Sequence, residues 1–243
     1  MVIGQNWRNM TNNSLSGQNV VMDLYWKMMG DAIAHAESGT MPNPNIRTTV
    51  QPKKGSSAYG RFQITGGPRI QGVTEGSMPW NIAYGPNKDY MQSLFKRKYG
   101  ATDETFNYYK DYVKHAEKLL DYGGKDMVPG YEHLDYGGPG ELLGNADQIA
   151  NYNKHMMPII KYEVDRAGHD PYKILMNWKG GGPIDGKYVS FDGDMNKFSK
   201  WIEQNPGALD YTRRFFDIHS QIPPYTQGGG HLPFSPLIDA GQR

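Results

Sequence analysis

The chain has no cysteine in its 243 residues. This absence excludes a disulfide scaffold, a thiolate metal site and a cysteine nucleophile. It does not fix the compartment, because a chain without thiols is indifferent to redox conditions. The sequence also lacks an excess of charge of either sign, with 26 Lys and Arg against 25 Asp and Glu. A strongly basic surface that binds nucleic acid is therefore not expected.

Long hydrophobic runs are missing as well. The apolar stretches are short, as at 156–160, and none approaches the roughly 20 residues that a membrane-spanning helix needs. Residues 1–19 are rich in Asn, Ser and Gln without an apolar centre, so we expect no signal peptide. The seven histidines form no pair or cluster with metal-ligand spacing, and no phosphate-binding fingerprint occurs, so neither a metal nor a cofactor is expected.

Glycine and proline are abundant, with 30 Gly and 16 Pro, and there are 17 tyrosines. Glycine and proline together exceed the usual share of about 12%, yet they stay below the roughly 25–30% typical of disordered chains. The composition therefore indicates a folded chain with many turns and much irregular structure.

Apolar side chains recur with helical spacing along most of the sequence. This spacing predicts helices over 20–37, 87–99, 102–122, 145–167, 171–179, 194–204 and 207–220. Residues 40–72 are rich in Gly and Pro and contain short β-type pieces, which predicts a small hairpin. The expected fold class is therefore α+β and mostly α.

Three regions are expected along the chain. Residues 1–19 are interpreted as a polar N-terminal arm, and residues 20–220 as the main domain, with a loop insertion at about 122–144 where the sequence LDYGG occurs twice. Residues 221–243 form a tail rich in Pro and Gly, which cannot bury a core of its own. We expect this tail to be disordered or to lie along a partner.

Glu37 closes the first predicted helix, after a run of apolar side chains and directly before Ser38 and Gly39. A carboxyl group held against apolar side chains has its charged form desolvated, which raises its pKa. A raised pKa suits a general acid at neutral pH. An ordinary surface glutamate at a helix end is the alternative interpretation of Glu37 taken alone.

A second segment of interest is S-S-A-Y-G-R-F-Q-I at 56–64. Gly60 permits a tight turn or the close approach of a ligand. The amide of Gln63 offers both donor and acceptor groups. Strand alternation would place two sets of side chains on opposite faces: Tyr59, Arg61 and Gln63 on one, and Phe62 and Ile64 on the other.

Together, E-S at 37–38 and G-R-F-Q at 60–63 resemble the first two motifs of the lysozyme-like lytic transglycosylases and their phage relatives. The family's second motif is G-hydrophobic-hydrophobic-Q. Three later stretches are similar to the family's N-I-x-x-G-x-x-Y-L, A-Y-N-x-G and E-T-x-x-Y-V motifs: residues 80–91, 176–181 and 211–215. In the A-Y-N-x-G stretch the aromatic residue is Trp178, and Lys179 stands where the family has Asn.

The resemblance implies a lysozyme-like helical domain that cleaves the β-1,4 bond between N-acetylmuramic acid and N-acetylglucosamine in peptidoglycan. It implies that Glu37 is the catalytic acid. The substrate-binding residues that it implies are Ser38, Tyr59, Gln63, Trp178 and Tyr211. Two roles stay open for Trp178 and Tyr211, which either stack on sugar rings or pack in the core.

A second carboxylate is missing from the region where many lysozymes supply one. Residues 38–74 contain no Asp or Glu and carry a local net charge of +5. Most glycoside hydrolases use two carboxylates, so a mechanism with one carboxylate fits better, as in lytic transglycosylases, which form a 1,6-anhydro ring. A second carboxylate from elsewhere in the chain would permit hydrolysis, which therefore stays an alternative. The candidates for this carboxylate are Glu75, Asp89 and Glu141. The basic stretch is either a solvated loop or an attraction for anionic wall polymer.

Three functions are therefore carried forward: a lytic transglycosylase, a lysozyme-type hydrolase on the same fold, and a structural virion protein without strong activity. Fold alone does not decide among them. A wall-cutting enzyme without a visible export signal fits a phage virion protein that acts in the host periplasm and cell wall. Its expected partners are peptidoglycan glycan strands and other virion proteins, which the arm and the tail would contact.

Overall fold

A computed structural model describes residues 14–38, 58–59, 61–66, 77–122, 134 and 146–222. These residues form helices and two small antiparallel sheets, so the predicted α+β, mostly α class is confirmed. The helices are α1 (Ser14–Ser38), α2 (Met78–Ala83), α3 (Lys88–Tyr99), α4 (Asp103–Tyr122), α5 (Ala146–Arg166), α6 (Pro171–Lys179), α7 (Met195–Gln204) and α8 (Pro206–His219). The strands are β1 (Ala58–Tyr59), β2 (Ile64–Thr65), β3 (Gly181–Ile184) and β4 (Lys187–Ser190).

Helix α1 runs through the centre of the core and packs along α8 and against α5. Its predicted apolar stripe is buried at Met29, Ala32, Ile33 and Ala36, each at most 1% exposed. Gly30 faces the side chains of α5 and the β1–β2 hairpin, where an added Cβ would meet tight contacts. Packing along several turns of α1 therefore holds the end of this helix in place.

Helix α1 begins earlier than predicted. The sequence interpretation placed residues 14–19 in the polar arm, whereas the structure places them in the first turns of α1. Apolar periodicity could not reveal these turns because they contain few apolar residues, although serine is a favoured residue at helix starts. The rest of the proposed arm, at 1–13, lies outside the described residues.

The later helices follow the predicted segments closely. Helix α3 ends at Gly100, which takes the left-handed conformation with φ +75° that favours glycine. Asp170 caps α6, and its Oδ1 accepts hydrogen bonds from the backbone N–H groups of Tyr172 and Lys173. Helix α5 covers nearly all of the predicted segment 145–167 and continues through Pro158.

Two elements were not predicted. Helix α2 has six residues, too few for a periodic signal, and its start is marked by Ser77, whose Oγ accepts a hydrogen bond from the Trp80 N–H at 3.3 Å. The β3–β4 hairpin follows the glycines that end α6. Asp185 and Gly186 join its strands with φ values of +51° and +76°, as in a type I′ turn.

The β1–β2 hairpin is present, but its strands are shorter than predicted. Tyr59 pairs with Ile64, and residues 61–63 form the turn. The prediction that Arg61 and Gln63 lie on one face of a strand is therefore wrong, because the chain must reverse direction between the two short strands. Gln63 instead has a φ of +48°, which is uncommon for a residue other than glycine. Phe62 and Ile64 are buried, as predicted.

The remaining sequence predictions fall largely outside the described residues. They concern the β-type piece at 46–50, most of the loop at 122–144 and the tail at 223–243. Within that loop the structure describes Leu134, which is buried. Among the described helices, none is long and apolar enough to cross a membrane.

Candidate active site

The site is centred on Glu37 in the last turn of α1. The phenol of Tyr211, on α8, donates a hydrogen bond of 2.7 Å to Oε1 of Glu37. Because α1 and α8 pack along each other, this contact joins the end of one core helix to the middle of another. Glu37 as a whole residue is half-buried, and its carboxyl group is strongly desolvated by the surrounding protein.

Burial governs the electrostatics of Glu37. Desolvation raises the pKa of this carboxyl group and outweighs three effects that lower it. These effects are the hydrogen bond from Tyr211 and the positive charges of Lys179 and Arg214. Protonation of Glu37 is thus more favourable than protonation of an exposed glutamate. When Glu37 is ionised, one hydrogen-bond donor and two cations stabilise its carboxylate. That balance suits a group that gives up a proton and takes one back.

Tyr211 is a core residue as well as the partner of Glu37. It is 6% exposed and meets the ring of Trp201 edge to face at 6.0 Å between centroids. Burial and the neighbouring Glu37 raise the pKa of the Tyr211 phenol well above its ordinary value, so the phenol stays a donor. The hydrogen bond from Tyr211 therefore orients the carboxyl group of Glu37.

Lys179 ends α6 and is half-buried beside this aromatic pair. Its Nζ lies 5.4 Å from the ring centroid of Tyr211 and 5.9 Å from that of Trp201. Both distances lie within the range of cation–π attraction. Lys179 thus lies over the ring of the tyrosine that donates to Glu37.

The turn of the β1–β2 hairpin is attached to α6 by a hydrogen bond. The indole Nε1 of Trp178 donates to the backbone carbonyl of Phe62 at 3.3 Å. Gln63 follows Phe62 in this turn and is half-buried. The structure therefore links the segment that carries Gln63 to the helix that carries Trp178 and Lys179.

The same turn is attached to α1 by an ion pair. The Nη2 of Arg61 lies 2.7 Å from Oδ1 of Asp31, and both side chains are largely buried. The other oxygen of Asp31 accepts a hydrogen bond from Lys27 at 2.9 Å. Arg61 stands where the family motif has a hydrophobic residue, and a buried carboxylate one and a half turns before Glu37 compensates its charge.

The predicted site residues divide into two groups. Tyr211 contacts Glu37 directly, and Trp178 contacts the turn that contains Gln63; Lys179, the neighbour of Trp178 in α6, lies over the Tyr211 ring. Ser38 is the last residue of α1 and Tyr59 lies in β1, but the side chains of both fall outside what the structure describes. Their substrate-binding roles stay predictions.

Sequence reasoning missed the groups that act on Glu37 through space. Arg214 lies one helical turn beyond Tyr211 on α8 and forms an ion pair of 3.1 Å with Asp210. Because Arg214 and Glu37 are far apart in the sequence, nothing in their spacing indicated that the two residues interact. The helical spacing of Tyr211 and Arg214 would have offered a signal, because residues three apart share a helix face.

The open question of a second carboxylate is answered only for part of the chain. Asp89 is exposed in the first turn of α3 and is not among the groups that shift the pKa of Glu37. The other two acids considered from the sequence, Glu75 and Glu141, lie outside the described residues. In the part of the chain that the structure describes, the groups acting on Glu37 are thus a phenol and two cations.

No group of three metal-ligating side chains occurs within the described ranges. The described site contains one carboxyl group of raised pKa, one neutral donor and two neighbouring cations. Comparison of the chain with protein-family models, with curated proteins and with solved structures found no match.

Proposed function

We propose that the chain is a peptidoglycan lytic transglycosylase with a lysozyme-like domain. The observation that carries this proposal is the carboxyl group of Glu37, which lies in the last turn of α1, has a raised pKa and accepts a hydrogen bond from the phenol of Tyr211. A general acid needs its proton at neutral pH and needs a fixed direction in which to deliver it. Burial raises the pKa of Glu37 toward the first requirement, and the 2.7 Å hydrogen bond from Tyr211 supplies the second.

In this proposal Glu37 acts twice. It first donates its proton to the oxygen of the β-1,4 glycosidic bond, and the bond between that oxygen and C1 of N-acetylmuramic acid breaks. The Glu37 carboxylate then takes the proton of the C6 hydroxyl as the C6 oxygen bonds to C1. The products are a 1,6-anhydro sugar and a free 4-hydroxyl, and Glu37 ends protonated. The reaction consumes no water.

The surroundings of Glu37 support both steps. The carboxylate formed in the first step receives the Tyr211 hydrogen bond and lies near the charges of Lys179 and Arg214. A partly dry site makes each of these interactions stronger than it would be in water. Since the second step follows immediately, stabilisation needs to last only until the C6 proton arrives.

The absence of acids from residues 38–74 favours the transglycosylase over a two-carboxylate hydrolase. The hairpin turn that is bonded to Trp178 consists of Arg61, Phe62 and Gln63, and none of these is an acid. The substrate itself supplies the nucleophile in the proposed reaction. A positioned second carboxylate is therefore not required.

Substrate contacts in this proposal come from the hairpin turn and from α6. Gln63 follows Phe62 in the turn, and the indole of Trp178 is partly exposed although its N–H donates to the Phe62 carbonyl. Ser38 and Tyr59 complete the proposed set. The proposed setting is a phage virion protein whose terminal segments bind neighbouring subunits and which acts on the host cell wall.

Digestion of purified peptidoglycan with mass analysis of the products tests the proposal. The expected products are anhydro-muropeptides, which are lighter by one water than hydrolytic products and resist borohydride reduction. Reducible muropeptides would identify a lysozyme-type hydrolase instead. No product from folded wild-type chain would favour the structural role.

The assignment of Glu37 has a matched pair of variants. Glu37→Gln should abolish cleavage, because an amide cannot donate an acidic proton. Glu203→Gln makes the same change on the exposed surface of α7 and should retain full activity. Retained cleavage in Glu37→Gln would refute the role of this residue.

A further inference from the structure

Lys179 occupies an unusual place for a lysine. It is the last residue of α6, and its ammonium group lies over two aromatic rings. Lysine is strongly hydrated and usually keeps its charged group in water. Among the described residues, no carboxylate lies within ion-pair distance of its Nζ, so its charge is not neutralised by a direct partner.

The position of the ammonium group is fixed by packing around Trp201. The indole of Trp201 is 4% exposed and lies against Gly182, where an added Cβ would overlap the ring. Its other neighbours include Phe191 and Phe198, with centroids 5.5 and 5.6 Å away. Because these neighbours enclose the indole of Trp201, its ring forms a rigid support for Lys179.

We propose that Lys179 is a positioning residue for the proton transfer of Glu37: it holds the ring of Tyr211 under the carboxyl group and stabilises the carboxylate formed when the proton leaves. The chemical consequence rests on the proposed function. The effect on the Glu37 carboxyl group itself does not, and it can be measured without substrate.

Three groups act on the charge of the Glu37 carboxyl group. Tyr211 and Arg214 come from α8, and Lys179 comes from α6. Arg214 shares its charge with Asp210 at 3.1 Å. Lys179 is therefore the cation near Glu37 whose field is least compensated among the described residues. A cation favours the charged form of a carboxyl group, so its removal must favour the protonated form.

A variant without the Lys179 charge tests the direction of this change in the Glu37 pKa. In Lys179→Met, the Glu37 carboxyl group should titrate at higher pH than in the wild-type chain. The alkaline limb of the cleavage rate should move in the same direction. The maximal kcat should fall by about three- to tenfold, because an acid with a higher pKa transfers its proton less readily. KM should stay nearly constant, since substrate contacts are unchanged.

The titration is measured on the full chain by carbon NMR of the glutamate carboxyl groups, with Glu37→Gln identifying the resonance. Lys179→Arg should keep the wild-type titration, because a guanidinium stacks on aromatic rings and retains the charge. Lys173→Met removes an exposed lysine from the same helix and should change nothing. If Lys179→Met does not fold, Lys179→Gln serves in its place.

An unchanged Glu37 titration in a folded Lys179 variant without the charge would overturn the inference. So would loss of the wild-type titration in Lys179→Arg. A shifted titration in a chain that never cleaves peptidoglycan would instead refute the proposed function and leave the role of Lys179 intact. The two failures are thus separated by one measurement without substrate and one with it.

Discussion

The phenol oxygen of Tyr211 lies 2.7 Å from Oε1 of Glu37, across 174 positions of sequence. This hydrogen bond joins the end of α1 to the middle of α8. Both of its residues belong to the site that was expected from the sequence. Tyr211 also packs against Trp201, and the ammonium group of Lys179 lies over its ring. The carboxyl group is thus oriented by a residue that is itself held in the core.

Tyr211→Phe should raise the pKa of Glu37 further. The phenol donates to the carboxylate and thereby lowers the pKa, so its loss removes a stabilising contact from the charged form. The ring remains in place, so we expect a change in unfolding free energy of only about 1 kcal/mol. Carboxyl titration by NMR and urea unfolding measure the two effects.

Tyr188→Phe is the matched control for this substitution. Tyr188 is 76% exposed on β4, so loss of its hydroxyl group should leave both the titration and the stability unchanged. A Glu37 titration that stays at its wild-type position in Tyr211→Phe would show that the hydrogen bond does not act on the carboxylate.

Glu37→Gln should leave the chain at least as stable as the wild type at neutral pH. The folded-state pKa of Glu37 is raised, so the folded state resists ionisation that the unfolded chain undergoes freely. Above the unfolded pKa this difference disfavours folding, and an amide removes it. The gain in unfolding free energy should vanish as the pH falls below the ordinary glutamate pKa, where both states are protonated.

Urea unfolding of both chains across this pH range measures the difference, with Glu203→Gln as the exposed control. A neutral variant that is clearly less stable at neutral pH would contradict the expectation. It would mean that the ionised carboxylate contributes to the fold instead of being held against it.

Much of the helical framework follows from periodicity alone, because a buried helix must repeat its apolar residues every three or four positions. The position of Glu37 at the end of α1 was predicted on this basis and is confirmed. The start of α1 was wrong by six residues, since Ser14 and its neighbours carry no apolar pattern. Helix ends that lie outside the core are set by capping and local propensity, which give a weaker signal.

The site was only partly predictable for a different reason. The residue types of Glu37, Trp178 and Tyr211 were recognisable, but their contacts depend on how α1, α6 and α8 cross. The buried pair of Arg61 with Asp31 shows the same limit. An arginine in a hydrophobic motif position looked like a departure, and only three-dimensional packing supplies the carboxylate that balances it.

Gly182→Ala should destabilise the chain by about 1–3 kcal/mol. An added Cβ would overlap the indole of Trp201, which is enclosed by other aromatic rings and cannot move aside cheaply. Any shift of Trp201 also displaces the support beneath Lys179 and Tyr211. Thermal unfolding gives the stability, and the Glu37 titration reports the disturbance of the site.

Gly207→Ala is the control for the loss of glycine itself. Gly207 lies in the first turn of α8, and nothing lies within 4 Å of the Cβ that alanine would add. Alanine restricts the unfolded chain, so we expect a gain of about 0.5 kcal/mol. Equal effects of the two substitutions would contradict the packing argument for Gly182.

His219 should make the stability depend on pH in the weakly acidic range. Its ring stacks on Phe215 with centroids 5.2 Å apart, and its buried Nδ1 has no hydrogen-bond partner among the described residues. Burial lowers the pKa of His219 to about 4. The ordinary histidine pKa is about 6.5. Between these values the unfolded chain binds a proton that the folded chain does not.

The unfolding free energy should therefore fall as the pH drops from about 6.5 to about 4, by roughly 3 kcal/mol from this residue. His219→Phe keeps an aromatic ring beside Phe215 and cannot take up a proton, so its stability should fall less over the same range. Urea unfolding of both chains gives the difference directly and cancels the carboxylates common to both. If the two chains lose stability in parallel, His219 is already protonated in the folded state, and its position at the C-terminal end of α8 outweighs its burial.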